Sequence, residues 1–141
     1  MSPSPSKRIS LPPITTAAGQ PPLYQQVIDG LKQAISAGTL PPGSPLPSFR
    51  ALAEDLLVSL ITVKRAYEDL ERDGIIYRKQ GIGTFVSEDG VEKSRSAQRS
   101  EVQERLAQAV ADGTALGMTL EELNRVVADI WNRHHAKEER K

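Results

Sequence analysis

Thr62, Lys64 and Arg65 fall within one turn of the stretch SLITVKRAYEDLERD (59–73), and each carries hydrogen-bond donors suited to a base edge or a phosphate oxygen. The chemistry they offer is recognition of nucleic acid rather than the making or breaking of bonds. At about 100° per residue, Val63, Ala66, Tyr67 and Leu70 share one side, which faces a core. Ile61, Arg65, Glu68 and Arg72 lie opposite, with Thr62 and Lys64 on the flanks. The outward side is therefore basic in its N-terminal half and mixed after it, as expected of a helix lowered N-terminus first into a major groove. An ordinary amphipathic surface helix would show much the same stripe, so the neighbouring elements must decide.

Composition sets the frame. The 141 residues suffice for one small domain plus an accessory piece. With no Cys, a disulfide framework and a thiolate metal site are both excluded. No apolar run approaches the ~20 residues needed to span a bilayer, and MSPSPSKRISLPP lacks the apolar stretch of a signal peptide. A soluble, cytoplasmic protein is the expectation. Net charge is zero, with 18 basic and 18 acidic residues. A nucleic-acid binder of this composition must segregate positive charge onto one face; Lys64, Arg65, Arg78 and Lys79 are the candidates.

Residues 1–20 are rich in Pro, Ser and Thr and poor in large apolar side chains, which predicts a flexible tail. A solvated tail accounts for Lys7 and Arg8, although both could brush phosphates. From Leu23 on, Tyr24, Val27, Ile28, Leu31, Ala34 and Ile35 recur at helical steps, with Gly38 placed to end the helix. The run TLPPGSPLPS then forbids both helix and central strand and makes a rigid turn. Ser48 stands where an N-cap should, before the stripe Phe49, Leu52, Ala53 and Leu56. Arg50 in that first turn opposes the helix dipole; a nearby phosphate would make sense of it, as would a simple solvated surface position.

Three residues, Leu57 to Ser59, connect this helix to the one carrying Thr62, Lys64 and Arg65, which is the helix-turn-helix pattern. After Gly74, two β-rich runs (Ile75–Arg78 and Thr84–Val86) flank the tip Lys79-Gln80-Gly81-Ile82-Gly83, a β-hairpin. A small, polar, basic tip suits a narrow minor groove or a pair of phosphates. The expected fold is mainly α with a small β-hairpin: a winged helix-turn-helix at 21–87.

Taken together, PLYQQ, LPPGSPLPS followed by Phe49-Arg50, TVKRAYEDLERDGII and GIGTFV resemble the winged helix-turn-helix domain of the GntR family of bacterial transcription regulators, over residues 22–86. The resemblance implies that Ser48 and Arg50 meet phosphates or the groove edge, that Thr62, Lys64 and Arg65 enter the major groove, and that Gln80 and Gly81 reach the minor groove. Two positions depart from the family pattern. Leu57 replaces a common Gly, where a left-handed turn would cost Leu roughly 1–2 kcal/mol, so a different winding is expected. Leu60 replaces a common Arg or Pro; the outward Ile61 beside it could pack on a thymine methyl instead.

Residues 88–100 are polar and are expected to link this domain to a helical region at 101–136, followed by a charged tail at 137–141. Val102, Leu106, Ala109 and Val110 define one helix, interrupted near Asp112-Gly113 or closing by Gly117. The capping box Thr119-Leu-Glu-Glu122 opens a second, with Leu120, Leu123, Val127, Ile130 and His134 at helical steps and Trp131 alongside. Two such helices bury too little to fold alone, so Val102, Leu106, Val110, Leu120, Leu123, Val127, Ile130 and Trp131 are expected to form a homodimer arm. The short arm resembles the YtrA subfamily, which implies a dimeric repressor, often of transporter genes, with no dedicated effector pocket.

No enzyme motif is present, and no cofactor or metal is expected. Adjacent His134 and His135 point to different faces of a helix and suit a helix C-terminus. Tyr67 and Trp131 are read as core rather than as stacking platforms. The leading reading is a homodimeric repressor on a pseudo-palindromic operator, its effector unknown. The alternative is a protein-interaction module whose winged domain has lost DNA binding, with Leu60 and the zero net charge as its symptoms.

Overall fold

Seven elements make up the computed structural model, which describes residues 11–139: α1 (Leu23–Ser36), α2 (Phe49–Leu56), α3 (Leu60–Arg72), β1 (Ile76–Lys79), β2 (Gly83–Val86), α4 (Gly90–Ala115) and α5 (Leu120–Glu139). They fall into two units that divide between Gln98 and Arg99, inside α4.

In the first unit the stripes read from periodicity converge. α1 buries Val27, Ile28, Leu31, Ala34 and Ile35, α2 buries Leu52 and Ala53, and α3 buries Val63, Ala66, Tyr67 and Leu70. Ile75, Ile76 and Val86 close the core from the hairpin, and Leu40 and Leu46 from the proline-rich connection. Each fully buried aliphatic side chain contributes about 1.5–3 kcal/mol. Tyr67, 1% exposed, donates its hydroxyl to the Pro47 carbonyl at 2.7 Å and meets the Phe49 ring edge-on at 5.0 Å. Burial pushes its phenol pKa well up.

The hairpin pairs Ile76 with Val86 through Lys79 with Gly83, so the first expected run is shifted one residue toward the tip, leaving Ile75 outside the strand, and the second gains Gly83. Residues 43–46 run along its outer edge: the Leu46 amide donates to the Thr84 carbonyl (2.8 Å), and Val86 donates to Ser44 (3.0 Å). A bridge joins Pro45 to Phe85. Proline, lacking a donor, is tolerated on such an edge. The rigid turn expected there is thus also a brace for the wing.

Caps fall where the residue types demand. The Ser48 hydroxyl accepts the Ala51 amide, and Ser59 accepts that of Thr62, both at 3.1 Å. Gly74 (φ 75°) ends α3 with the Ile75 amide reaching back to the Leu70 carbonyl at 3.0 Å. The turn after α2 departs from expectation. Leu57 adopts φ 56°, ψ 44°, so the connection keeps the left-handed winding despite the missing Gly. The cooperative capping bonds, Val58 amide to Ala53 carbonyl among them, hold Leu57 there while its side chain stays 91% exposed. Because nothing packs on that side chain to offset the strain, Leu57→Gly is expected to raise stability by about 1 kcal/mol in chemical denaturation. A loss of stability would show that the Leu side chain contributes more than its backbone strain costs.

Two further expectations for this unit need correction. Residues 1–10 of the expected tail, including Lys7 and Arg8, lie outside the described residues, but 11–20 are not a free tail: Leu11 and Ile14 pack on the core. The Gln26 side chain fixes the same stretch, accepting the Thr15 amide (2.9 Å) and donating to the Thr15 carbonyl (2.7 Å). Two apolar side chains and one amide suffice where composition alone indicated none. Residues 88–100, expected as a polar linker, are helical from Gly90 on. Their only small buried positions, Gly90 and Ser94, face inward, and a Cβ at Gly90 would lie 2.9 Å from the Ile75 carbonyl oxygen. A close approach through small residues leaves no apolar stripe to read.

In the second unit Asp112-Gly113 does not interrupt α4, which ends in a capping motif at Gly117 (φ 83°) with the Met118 amide on the Gly113 carbonyl at 2.9 Å. Gly113 is buried because α5 packs there: a Cβ would stand 2.8 Å from Leu123 Cδ2. The Thr119 hydroxyl caps α5 through the Glu122 amide at 3.2 Å. Trp131 is not core within this chain; it is 63% exposed and stacks on His135 at 4.0 Å.

Candidate nucleic-acid interface

α3 carries its polar residues where the angles put them. Ile61 is 78% exposed, Lys64 and Arg65 are exposed, and all three line one shallow depression with Glu68, Asp69 and Arg72. Thr62 is different. It is half-buried, and its hydroxyl is bonded to Ser59 Oγ at 2.7 Å, so it is engaged in capping the helix. Leu60, 47% exposed, stands beside Ile61 in the first turn, giving this end of α3 an apolar tip.

A second depression lies between the start of α2 and the wing. Ser48, Lys79 and Gly81 line it together with Phe49, Arg78 and Ile82. Gly81 sits at φ 77° with open space around it, and Ile82, 72% exposed, forms the apolar point of the tip. Arg50 projects into solvent from the first turn of α2, and Gln80 is exposed at the tip; neither lines either depression. Ile61, Lys64 and Arg65 thus share one surface on α3, and Ser48, Lys79 and Gly81 another between α2 and the wing, with Arg50 and Gln80 outside both and Thr62 between helix cap and surface.

Charge is segregated by pairing rather than by count. Arg72 is paired with Asp69 at 2.7 Å, and Arg78 lies 3.9 Å from Glu71 and over the Phe49 ring. Among the described residues, Arg50, Lys64, Arg65 and Lys79 have no carboxylate partner within salt-bridge distance. Unpaired cations on an otherwise neutral chain are what a polyanion would meet first. Lys79 instead stands over the Phe85 ring (5.8 Å), and the Arg65 guanidinium carbon stands over the Tyr24 ring, 3.7 Å from its centroid.

Sequence reading named Arg78 as a candidate cation, and it lines the second depression, but it missed Tyr24 and Ile82 as members of these surfaces. Tyr24 belongs to the core stripe of α1 and lies far from Arg65 in the chain, so no local spacing could have joined them. Ile82 could have been found, since a large apolar residue between two tip glycines cannot be buried by its own hairpin.

Comparison with known proteins agrees with this geometry. Residues 23–86 match the family described as bacterial regulatory proteins, gntR family. The HTH-type transcriptional repressor YtrA of Bacillus subtilis is 35% identical over 109 residues, covering 77% of this chain and 84% of that protein. Among solved structures, a GntR family transcriptional regulator from Listeria monocytogenes superposes with a TM-score of 0.66 at 29% identity, covering 80% of this chain and 98% of that one. The DNA-binding domain of AraR, in complex with operator ORX1, superposes with a TM-score of 0.52 at 29% identity, covering 57% of this chain and all (100%) of that one. With a helix-turn-helix braced to a wing, unpaired cations on its exposed faces and a repressor related over most of both lengths, the chain belongs to the GntR family of DNA-binding transcription regulators.

Proposed function

We propose that this regulator acts as a homodimeric repressor on a pseudo-palindromic operator, with Lys64 and Ile61 of α3 directed at the major groove and the wing tip, Lys79 to Gly81, at the minor groove. The observation that carries this reading is that Lys64 and Lys79, one on each surface, and the exposed Arg50 stand without carboxylate partners among the described residues. Ser48, whose hydroxyl caps α2, presents the free amides of that helix start to a phosphate beside Arg50. Thr62 contributes chiefly by capping α3, and Ile61 with Leu60 offers apolar contact to thymine methyl groups.

Dimerisation is supported by the second unit. Val102 (60%), Leu106 (52%), Val110 (43%), Leu120 (72%), Val127 (50%), Ile130 (53%) and Trp131 (63%) are all exposed in the single chain. Leu123, by contrast, is half-buried against Gly113 and belongs to the packing of α4 on α5. Such a run of apolar side chains calls for a partner surface, and a second copy supplies one with the same residues. Two recognition helices would then address half-sites about one helical turn apart. No helix among the described residues is long and apolar enough to cross a membrane, and the reading places the protein in the cytoplasm with its operator.

Titrating labelled duplex DNA at two salt concentrations tests the reading. Affinity is expected to fall steeply with salt, by a log–log slope near −0.9 for each phosphate contacted. A flat response would instead favour an interaction module without DNA binding.

A further inference from the structure

The contact between α1 and α3 holds a feature that neither the helix-turn-helix pattern nor the dimer arm requires. Arg65 projects from the outer side of α3, yet its guanidinium carbon lies 3.7 Å from the centre of the Tyr24 ring in the first turn of α1. At that separation the planar group lies on the ring face, where the ring's quadrupole attracts its charge. We infer that Tyr24 is a positioning residue, a rest that presents Arg65 to a DNA phosphate, so that Arg65 grips the backbone instead of reading a base. The inference rests on the DNA-binding reading above and deepens it.

Three observations carry it. First, the guanidinium sits over the ring and, among the described residues, is seen to donate no hydrogen bond, so its N–H donors are not consumed; an arginine paired with a carboxylate spends them. Arg72, about two turns further along the same face of α3, is spent in that way on Asp69 at 2.7 Å. Second, Arg65 keeps its full charge, since among the described residues no carboxylate lies within salt-bridge distance of it. Third, Tyr24 is itself fixed, half-buried and packed on the core of the first unit, so the rest does not move. An arginine side chain is otherwise long and mobile, and holding its plane beforehand reduces the ordering cost of a two-pronged grip on phosphate. Ile61 and Lys64 line the same depression as Arg65, but Arg65 is the one seated over the Tyr24 ring. The division of labour follows: Lys64 and the apolar tip face the bases, and Arg65 with Tyr24 fixes the register.

The test uses the full chain with two probes: a duplex selected by the wild-type protein from genomic fragments, and a random-sequence duplex. Arg65→Met keeps the aliphatic contact with the ring and removes the charge. It is expected to weaken both duplexes by the same factor and to reduce the salt slope by about 0.9 per protomer. Tyr24→Leu should weaken both by about two- to fivefold, the size of an exposed cation–π contact, whereas Tyr24→Phe, which keeps the ring, should bind like wild type. Arg65→Lys should keep the salt slope and still lose affinity, because an ammonium cannot lie flat on the ring. Should Tyr24→Leu lower the melting temperature, the comparison of Arg65→Met with Arg65→Lys at the exposed position still decides.

Weakening of the selected duplex alone by Arg65→Met would make Arg65 a base reader and overturn the inference. So would an unchanged salt slope, or a Tyr24→Phe variant as impaired as Tyr24→Leu. A wild-type chain that binds neither duplex removes the DNA-binding reading itself, an outcome separate from either of those.

Discussion

Trp131→Asp is expected to leave the chain monomeric at concentrations where the wild type sediments as a dimer, and to lower operator affinity by well over tenfold. Trp131 is 63% exposed in the single chain, the neighbouring Ile130 53% and Val127 50%. Covering the remaining surface of one Trp is worth roughly 2–4 kcal/mol at about 25 cal/mol per Å², and a two-fold interface counts it twice. The substitution also places a carboxylate where it must lose water without a partner, which adds to the penalty. The side chain touches only His135 of its own helix among the aromatic contacts of the second unit, at 4.0 Å, so the fold of the chain should survive. Sedimentation and far-ultraviolet circular dichroism together separate lost dimer from lost structure. A variant that stays dimeric would refute this interface, and the loss of affinity tests whether two joined half-site contacts are needed.

Tyr67→Phe is expected to cost about 1–3 kcal/mol, because it leaves the buried Pro47 carbonyl without the hydroxyl that donates to it at 2.7 Å. For a domain of this size that is a fall in melting temperature of about 5–15 °C. Ring volume and the edge-on contact with Phe49 are retained, so the loss reports the hydrogen bond and not a cavity. A second signature is pH dependence. Burial raises the Tyr67 pKa above its ordinary value of 10.0, so the folded state holds the proton more tightly than the unfolded chain. Stability from this group is complete below that ordinary value and is lost as pH climbs above it. The Phe variant should lack this alkaline decline, and an unchanged melting temperature would show that the Pro47 carbonyl finds another donor. Function should follow stability here, since Pro47 leads directly into Ser48 and Arg50. A looser connection should weaken DNA binding without changing which sequence is preferred.

Local repetition in the chain fixed the helices of the winged unit. Val63, Ala66, Tyr67 and Leu70 face the core because a 3.6-residue period leaves them no other place, and Ser48 and Gly74 cap helices because a short hydroxyl side chain and backbone freedom suit those positions. The same reasoning located Ile61, Lys64 and Arg65 on an exposed face and the hairpin at Ile76–Val86, within a residue of its ends. What it could not reach was whatever depends on residues distant in the chain. The helical start of α4 is hidden in a polar sequence because it packs through Gly90 and Ser94, whose smallness matters only once Ile75 and Val86 are beside them. Leu57 takes a left-handed backbone against its own preference because the capping bonds back to Ala53 and Glu54 of α2 outweigh a strain of about 1–2 kcal/mol. Arg65 looked like one more base-directed cation until α1 brought Tyr24 under it, 3.7 Å away. Periodicity and capping are properties of neighbouring residues and can be read in sequence. Which ring an arginine rests on depends on helix packing, and only the folded chain decides that.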